Sequence, residues 1–160
     1  MEKKKNWPNN KYYEYSRETI KTIWDTNRDV AAAAGTKMHY DIECYYNKCP
    51  NKNDSIEYMY FENFLKDYPN LKPYRTEWTI FEEPLKLAGS IDMVFKDSDT
   101  DELYIYDWKR TKKIWYSKIN QDYAIPECIQ HIPSTNYWHY TFQLNAQFPS
   151  LLLKNIFLCL

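Results

Sequence analysis

Glycine is almost absent from this chain. Only two of its 160 residues are glycine, Gly35 and Gly89, whereas the usual share is about 7%. Glycine belongs where the backbone needs freedom or where a side chain would obstruct a close approach. Each of the two glycines therefore requires an explanation from its own surroundings.

Long apolar runs and an export signal are also lacking. No stretch approaches the length of a membrane span, and the basic start MEKKKNWPNN is not followed by the apolar segment of a secretory signal. The four cysteines are Cys44, Cys49, Cys128 and Cys159. They lack C-x-x-C spacing, which favours reduced thiols over a zinc or iron–sulfur site. We expect an intracellular protein of the cytoplasm or nucleus, with no membrane partner.

Neither sign of charge dominates the chain. The formal net charge is -1 and hydrophobic residues make up 44%, which is typical of a globular protein and excludes a disordered one. The length predicts one domain, 1–160, with a helical part over about 1–70 and a sheet with a following helix over about 71–160. The balance hides a local cluster of cations, which comprises Lys109, Arg110, Lys112 and Lys113.

Hydrophobic periodicity predicts helices on both sides of a sheet. Apolar residues recur at threes and fours from about Glu18 to Tyr46, as one long helix or two joined helices. A turn-rich loop follows at 47–54, and YMYFENFLKDYPN indicates a second helix. The predicted strands are 74–81, 85–95 and 103–110, with an antiparallel hairpin across KDSDTDE. A helix at about 142–148 and a final strand in NIFLCL complete an α/β or α+β domain.

The stretch ELYIYDWKRTKK ends an apolar strand with an acid and a base. Alternate residues of a strand share a face, so Asp107 and Lys109 lie side by side. Asp92, on the preceding strand, comes close to Asp107 if the hairpin register allows. Adjacent carboxylates that stay ionised usually bind a divalent cation, and Mg²⁺ suits these oxygen ligands best. Glu77, on the first strand, offers a third carboxylate.

Lys109 would then lie beside an attacking water and a docked phosphate. There it could orient the nucleophile or stabilise the charge that develops at phosphorus. Taken alone, the triplet Asp107-Trp108-Lys109 is more typical of a strand end whose charges reach solvent; the site depends on the neighbouring strands that carry Asp92 and Glu77.

The ordered segments TEWTIF, GSIDMVF and YIYDWKR resemble the PD-(D/E)XK nuclease superfamily, and more narrowly its RecB-type and lambda-exonuclease-like branch. The resemblance implies a restriction-endonuclease-like core, with a central mixed β-sheet flanked by helices. It also implies hydrolysis of phosphodiester bonds, most often in DNA, with one or two Mg²⁺ or Mn²⁺ ions. Asp92 matches the aspartate after Gly-x-x, Asp107 and Lys109 match the (D/E)xK pair, and Glu77 matches the acid of the first core strand. All four are expected in catalysis, and the three acids are expected metal ligands.

Two helical motifs of the same branch have counterparts. Gly35 and His39 match its upstream Gly-x-x-x-His, in which the glycine leaves room one turn before the histidine for a metal or a neighbouring strand. His39 would be a metal ligand through neutral imidazole, which favours Mn²⁺; taken alone, it better suits a hydrogen-bonded, partly buried position. Glu43 is a weaker candidate that suits a solvated or capping role. Gln143 matches a catalytic-site glutamine from a Gln-x-x-x-Tyr helix, although Gln147 replaces the tyrosine.

The segment KRTKKIWYSK mixes cations with aromatic rings. This mixture suits a surface that follows a phosphate backbone and stacks on bases, or a solvated loop with two rings anchored in the core. The expected nucleic-acid-binding residues are Arg110, Lys112, Lys113, Trp115 and Tyr116. A further set of residues could line a strand groove, although core packing is their first explanation in a chain with 16 tyrosines. They are Tyr12, Tyr13, Tyr15, Trp138, His139 and Tyr140.

These features predict a divalent-metal-dependent nuclease, with DNA preferred to RNA and exonuclease action preferred to endonuclease action. One alternative is an RNA endonuclease of the cap-snatching type, which also combines a helix histidine with carboxylates and a lysine. Another is a nuclease-like module that binds nucleic acid or protein without cutting, which the presence of Asp92, Asp107 and Lys109 disfavours. A charged hairpin without metal affinity is the remaining alternative.

Overall fold

The computed structural model describes residues 7–49, 53–84, 86–117, 122–146, 154–155 and 158–159. Its helices are α1 (Arg17–Tyr46), α2 (Ile56–Asp67) and α3 (Asn136–Ala146), with single-turn 3₁₀ helices at Trp7–Asn9 and Glu127–Ile129. Its strands are β1 (Leu71–Glu82), β2 (Leu87–Asp97), β3 (Leu103–Tyr106), β4 (Trp108–Lys109), β5 (Lys154–Asn155) and β6 (Leu158–Cys159). The fold is mixed α+β. Each helix in these ranges is too short or too polar to cross a membrane.

The chain divides into two compact units, Met1–Lys37 and Met38–Leu160. In the first unit, Ser16 caps α1 by accepting a hydrogen bond from the Thr19 backbone N–H (3.1 Å). The indole N–H of Trp24 donates to the Tyr12 hydroxyl (2.8 Å), and the two rings meet edge to face. None of the described side chains in this unit is buried. The core described below belongs to the second unit.

Both predicted N-terminal helices are present. The periodic segment from Glu18 to Tyr46 forms one continuous helix, which decides between the two alternatives. Helix α2 begins after Ser55, whose hydroxyl accepts a hydrogen bond from the Tyr58 N–H (3.2 Å). It ends where the Tyr68 N–H donates to the Phe64 carbonyl (3.0 Å).

Three strands form an antiparallel meander in the order β1–β2–β3. Strand β5 pairs parallel with β3, and β4 and β6 form a separate parallel pair. The predicted hairpin is confirmed, because Met93 lies opposite Tyr106 and Val94 lies opposite Ile105. The register between β1 and β2 shifts between Pro73 and Arg75.

The predicted strand at 103–110 is wrong at two positions, because it breaks at Asp107 and ends before Arg110. Strand β3 ends at Tyr106, and β4 resumes with Trp108 in the other pair. The backbone N–H of Trp108 donates to the Asp92 carboxylate (2.8 Å). A side-chain acceptor on β2 therefore takes a donor that an unbroken strand would use in its ladder.

Met93, Val94 and Phe95 enter two different buried clusters in turn, as strand alternation predicts, whereas Ile91 lies in the cluster of Val94. The aromatic cluster joins the strands to α2 and to the end of α1; its buried members are Met38, Ile42, Phe61, Phe64, Met93, Phe95, Tyr106 and Trp108. A smaller cluster joins the strands to α3; its buried members are Ile91, Val94, Ile105 and Leu144. The hairpin is thus fixed from α1 and α2 through one cluster and from α3 through the other.

Helix α3 begins at Asn136, six residues before the predicted start at 142. The Asn136 side chain accepts a hydrogen bond from the Trp115 N–H (2.8 Å) and donates one to the Lys113 carbonyl (2.9 Å). These contacts with a distant loop fix the helix start, and periodicity alone does not contain them. The predicted helix end at 148 lies outside the described residues, and so do 156, 157 and 160 of the predicted final strand.

Candidate metal centre

Asp92 and Asp107 meet at the open end of the hairpin. The last pair in the β2–β3 register is Met93 with Tyr106, so Asp92 and Asp107 occupy the next position on each chain. One oxygen of Asp92, Oδ2, accepts the hydrogen bond from the Trp108 N–H. The same hydrogen bond therefore accompanies the strand break at Asp107 and fixes the position of the Asp92 carboxylate.

His39 reaches the same carboxylate from α1. Its Nδ1 atom lies 3.4 Å from Asp92 Oδ2, and its side chain keeps 31% of its surface exposed. Met38 and Ile42 are buried in the aromatic cluster, so they fix this part of α1 against the sheet. The imidazole is thereby held at the rim of the site, where both the carboxylate and solvent can reach it.

Glu77 completes a three-residue group with His39 and Asp92. The pairs Thr76–Met93 and Trp78–Ile91 flank it, which sets Glu77 opposite Asp92. Its backbone φ is 42°, a left-handed conformation that non-glycine residues rarely adopt. One ligand atom from each of His39, Glu77 and Asp92 lies within 4.8 Å of the others.

Two side chains donate hydrogen bonds to the carboxylates of Glu77 and Asp107. Ser90 Oγ donates to Glu77 Oε2 (3.3 Å), and Gln143 Nε2 donates to Asp107 Oδ1 (3.1 Å). The Gln143 contact places α3 beside Asp107, and the catalytic role of this glutamine stays a prediction. In each of these two acids, one carboxylate oxygen is thus oriented by a hydrogen bond from a neighbouring side chain.

Lys109 forms an ion pair with Asp107 Oδ2, and the Asp107 side chain is only 5% exposed. That oxygen is buried and has no partner of hydrogen-bond geometry among the described residues. The Lys109 ammonium also lies 5.3 Å from the centre of the Tyr140 ring. The sequence predicts that Tyr140 packs in the core or lines a strand groove. Its position three residues before Gln143 was the available indication that the two share a helix face.

Burial and the nearby Asp107 raise the pKa of the Asp92 carboxyl from the ordinary 3.8 to about 6. His39, the Trp108 N–H and Lys109 act in the opposite direction without cancelling the rise. A cation at this position would offset both the burial and the repulsion between carboxylates. Burial of Asp92 and its proximity to Asp107 therefore favour the binding of a cation at this position.

The donor set fits a divalent cation. Carboxylate oxygens suit Mg²⁺ and Mn²⁺, and a neutral imidazole moves the preference towards Mn²⁺. Two donors on one octahedral ion lie about 3 to 4.2 Å apart, and the group formed by His39, Glu77 and Asp92 is near that spacing. Asp107 lies beside this group and could supply a further oxygen.

Gly35 and Glu43 are the remaining residues of the helical motif. A Cβ atom at Gly35 would meet no heavy atom within 4 Å. Its role in leaving room for a metal or a neighbouring strand stays a prediction. Glu43 accepts a hydrogen bond from the Asn47 side chain at the end of α1 (3.4 Å), which agrees with the capping role rather than with metal binding.

The predicted nucleic-acid-binding residues follow β4 along the chain. Arg110 forms an ion pair with Glu57 at the start of α2 (2.6 Å), while Lys112 is exposed. The Lys113 ammonium lies 4.0 Å from the centre of the Trp115 ring. Tyr116 is 60% exposed although its ring contacts those of Tyr137 and Trp138. Cations and exposed rings therefore stand together in this loop, but Arg110 already has an acidic partner.

Neither a family model, nor a curated protein, nor a solved structure matches this chain. The resemblance of its motifs to the PD-(D/E)XK nucleases stays a prediction. What the site does has to be inferred from its own chemistry.

Proposed function

We propose that this chain is a divalent-metal-dependent nuclease that hydrolyses phosphodiester bonds, with DNA as the preferred substrate and exonuclease action as the preferred mode. The main support is the convergence of His39, Glu77 and Asp92 within 4.8 Å beside the ion pair of Asp107 and Lys109. A structural hairpin does not require two adjacent, largely buried acids.

A bound divalent cation would supply an activated water and would neutralise charge on the phosphate. The chain's own residues would do the rest. Asp107 holds the Lys109 ammonium at the centre, where it can donate a hydrogen bond to a phosphoryl oxygen or to the attacking water. Gln143 fixes the orientation of Asp107. The Trp108 N–H fixes that of Asp92.

The order of elements agrees with the proposal at the level of topology. A helix precedes a three-strand antiparallel meander, α3 follows it, and β5 then pairs parallel with β3. This mixed arrangement is what the proposed restriction-endonuclease-like core would contain.

One observation favours RNA as the second candidate substrate. His39 contacts Asp92 directly (3.4 Å), and a helix histidine beside carboxylates and a lysine is the combination of the cap-snatching alternative. RNA should therefore be included in every assay.

The deciding assay follows end-labelled linear DNA, closed circular DNA and single-stranded RNA with Mg²⁺, Mn²⁺ or EDTA. We expect metal-dependent loss of linear DNA, and we expect Lys109→Ala to slow it by about 10²- to 10³-fold because a preorganised cation at the phosphate is lost. Lys66→Ala, which removes an exposed lysine from α2, is the matched control and should be unchanged.

Other outcomes redirect or end the proposal. Cutting of circles would make the enzyme an endonuclease, and cutting of RNA alone would establish the second candidate. A folded protein that degrades none of the substrates with either metal would instead be a binding module. Calorimetric titration of such an inactive protein with MnCl₂ then tests the metal centre itself. A heat of binding would retain the metal centre without the nuclease activity, and no binding would reject both.

A further inference from the structure

Tyr140 lies against the lysine of the centre. The distance of 5.3 Å between the Lys109 ammonium and the Tyr140 ring centre is within the range of about 6 Å for a cation–π contact. The same ammonium pairs with Asp107 on another side. We propose, resting on the nuclease function above, that Tyr140 is a positioning residue whose ring holds the Lys109 ammonium at the reacting phosphate.

Helix α3 is rigidly placed for this role. Leu144 is buried with Val94 and Ile105, which fixes the helix on the hairpin. Tyr140 and Gln143 are three residues apart, so their side chains project from the same face. Gln143 binds Asp107 while Tyr140 contacts Lys109. One helix face therefore fixes both members of the acid–lysine pair.

The lysine needs such a second support. Its ammonium ends a flexible four-carbon stem, and it starts from a strand of only two residues, Trp108–Lys109. A divalent cation bound at the centre would draw on the charge of Asp107 and would weaken the hold of this carboxylate on the ammonium. The Tyr140 ring is not a ligand for Mg²⁺ or Mn²⁺, so its contact with Lys109 would remain. The ring would thus keep the ammonium in place when the charge of Asp107 is shared.

The kinetic test compares two substitutions that differ only in the aromatic ring. Tyr140→Phe keeps the ring and should change kcat by less than about twofold, whereas Tyr140→Leu should lower kcat by roughly 3- to 30-fold with KM nearly unchanged. Equal loss in both variants would overturn the proposal in favour of the hydroxyl. A change confined to KM would overturn it in favour of a substrate contact. Tyr140→Met replaces the leucine variant if that protein does not fold.

A second measurement needs neither metal nor substrate. In protein labelled with ¹³C-lysine, the ring current of Tyr140 should shift the Lys109 ε-methylene protons upfield, and the signal is assigned by its loss in Lys109→Arg. We expect the shift in wild type and in Tyr140→Phe, and its disappearance in Tyr140→Leu. An unchanged signal in Tyr140→Leu overturns the positioning role whatever the activity. A wild-type shift in a protein without nuclease activity rejects the proposed function but retains the contact.

Discussion

The β2–β3 hairpin carries two regions of opposite character, the aromatic cluster and the metal centre. In the aromatic cluster Phe61 is fully buried and meets the rings of Phe64 and Trp108, so packing alone satisfies it. In the metal centre Asp92 and Asp107 are placed together although burial and repulsion oppose the charge of Asp92. The aromatic cluster stabilises the fold, whereas the pair of Asp92 and Asp107 lowers its stability. Such a pair is expected where residues are selected for function rather than for stability.

The largest effect should come from the aromatic cluster. Phe61→Ala leaves a cavity among rings that cannot collapse, so we expect the free energy of unfolding to fall by about 3 to 5 kcal/mol. Urea denaturation measures it. Phe81→Ala removes the same side chain from a position that is 78% exposed and should change stability by less than about 1 kcal/mol. Similar losses in the two variants would mean that the cluster is not the core.

In the candidate metal centre, a substitution should instead raise the free energy of unfolding. Asp92→Asn removes a charge that burial and Asp107 disfavour, while the amide oxygen can still accept the Trp108 N–H. The rise in pKa corresponds to a gain on the order of 2 kcal/mol in unfolding free energy at pH 7 for the metal-free variant. Calorimetric Mn²⁺ binding should be lost in the same protein. A variant less stable than wild type would show that Asp92 supports the fold.

The same variant gives a pH signature with a defined sign. The folded protein binds the Asp92 proton more tightly than the unfolded chain, because its pKa is about 6 rather than the ordinary 3.8. Stability from this group is therefore present below about pH 4 and is lost as the pH rises through about 6. The advantage of Asp92→Asn over wild type should be full above pH 6 and should vanish near pH 4. An advantage independent of pH would exclude the carboxylate as its cause.

The smallest effect on stability is expected at Gln143, which is exposed although it contacts a buried acid. Gln143→Ala removes one hydrogen bond to Asp107 and should lower the unfolding free energy by about 1 kcal/mol or less. The rate of the proposed nuclease reaction should fall by about tenfold, because Asp107 then keeps only its ion pair with Lys109 and is held less precisely. Asn145→Ala is the control on the same helix, since Asn145 donates to the Thr141 carbonyl (2.7 Å). A loss of stability without a loss of rate would make Gln143 structural.

Local patterns predicted much of the fold. The apolar period placed α1 to within one residue at its start, because a long amphipathic repeat leaves little choice. Strand alternation predicts Ile91, Met93 and Phe95 on one face and Val94 on the other. This prediction is confirmed for Met93, Phe95 and Val94 and is wrong for Ile91, which lies in the cluster of Val94. The acidic turn KDSDTDE specified the hairpin. The register then brought Asp92 beside Asp107.

The misplaced features depend on contacts between distant parts of the chain. The break at Asp107 follows from the hydrogen bond between Trp108 and Asp92, and the early start of α3 accompanies the contacts of Asn136 with Lys113 and Trp115. No local pattern encodes these pairs. The contact of Tyr140 with Lys109 was out of reach for the same reason, since it requires the crossing position of α3 over the hairpin.

The left-handed backbone at Glu77 has a consequence for engineering. Such a conformation costs on the order of 1 kcal/mol or more for a residue with a side chain and almost nothing for glycine. Glycine at position 77 would relax the strand and, in the same exchange, delete a donor from the centre. If the proposed metal centre is used, thermal stability and cation affinity would therefore be opposed at position 77, and a single substitution could not improve both.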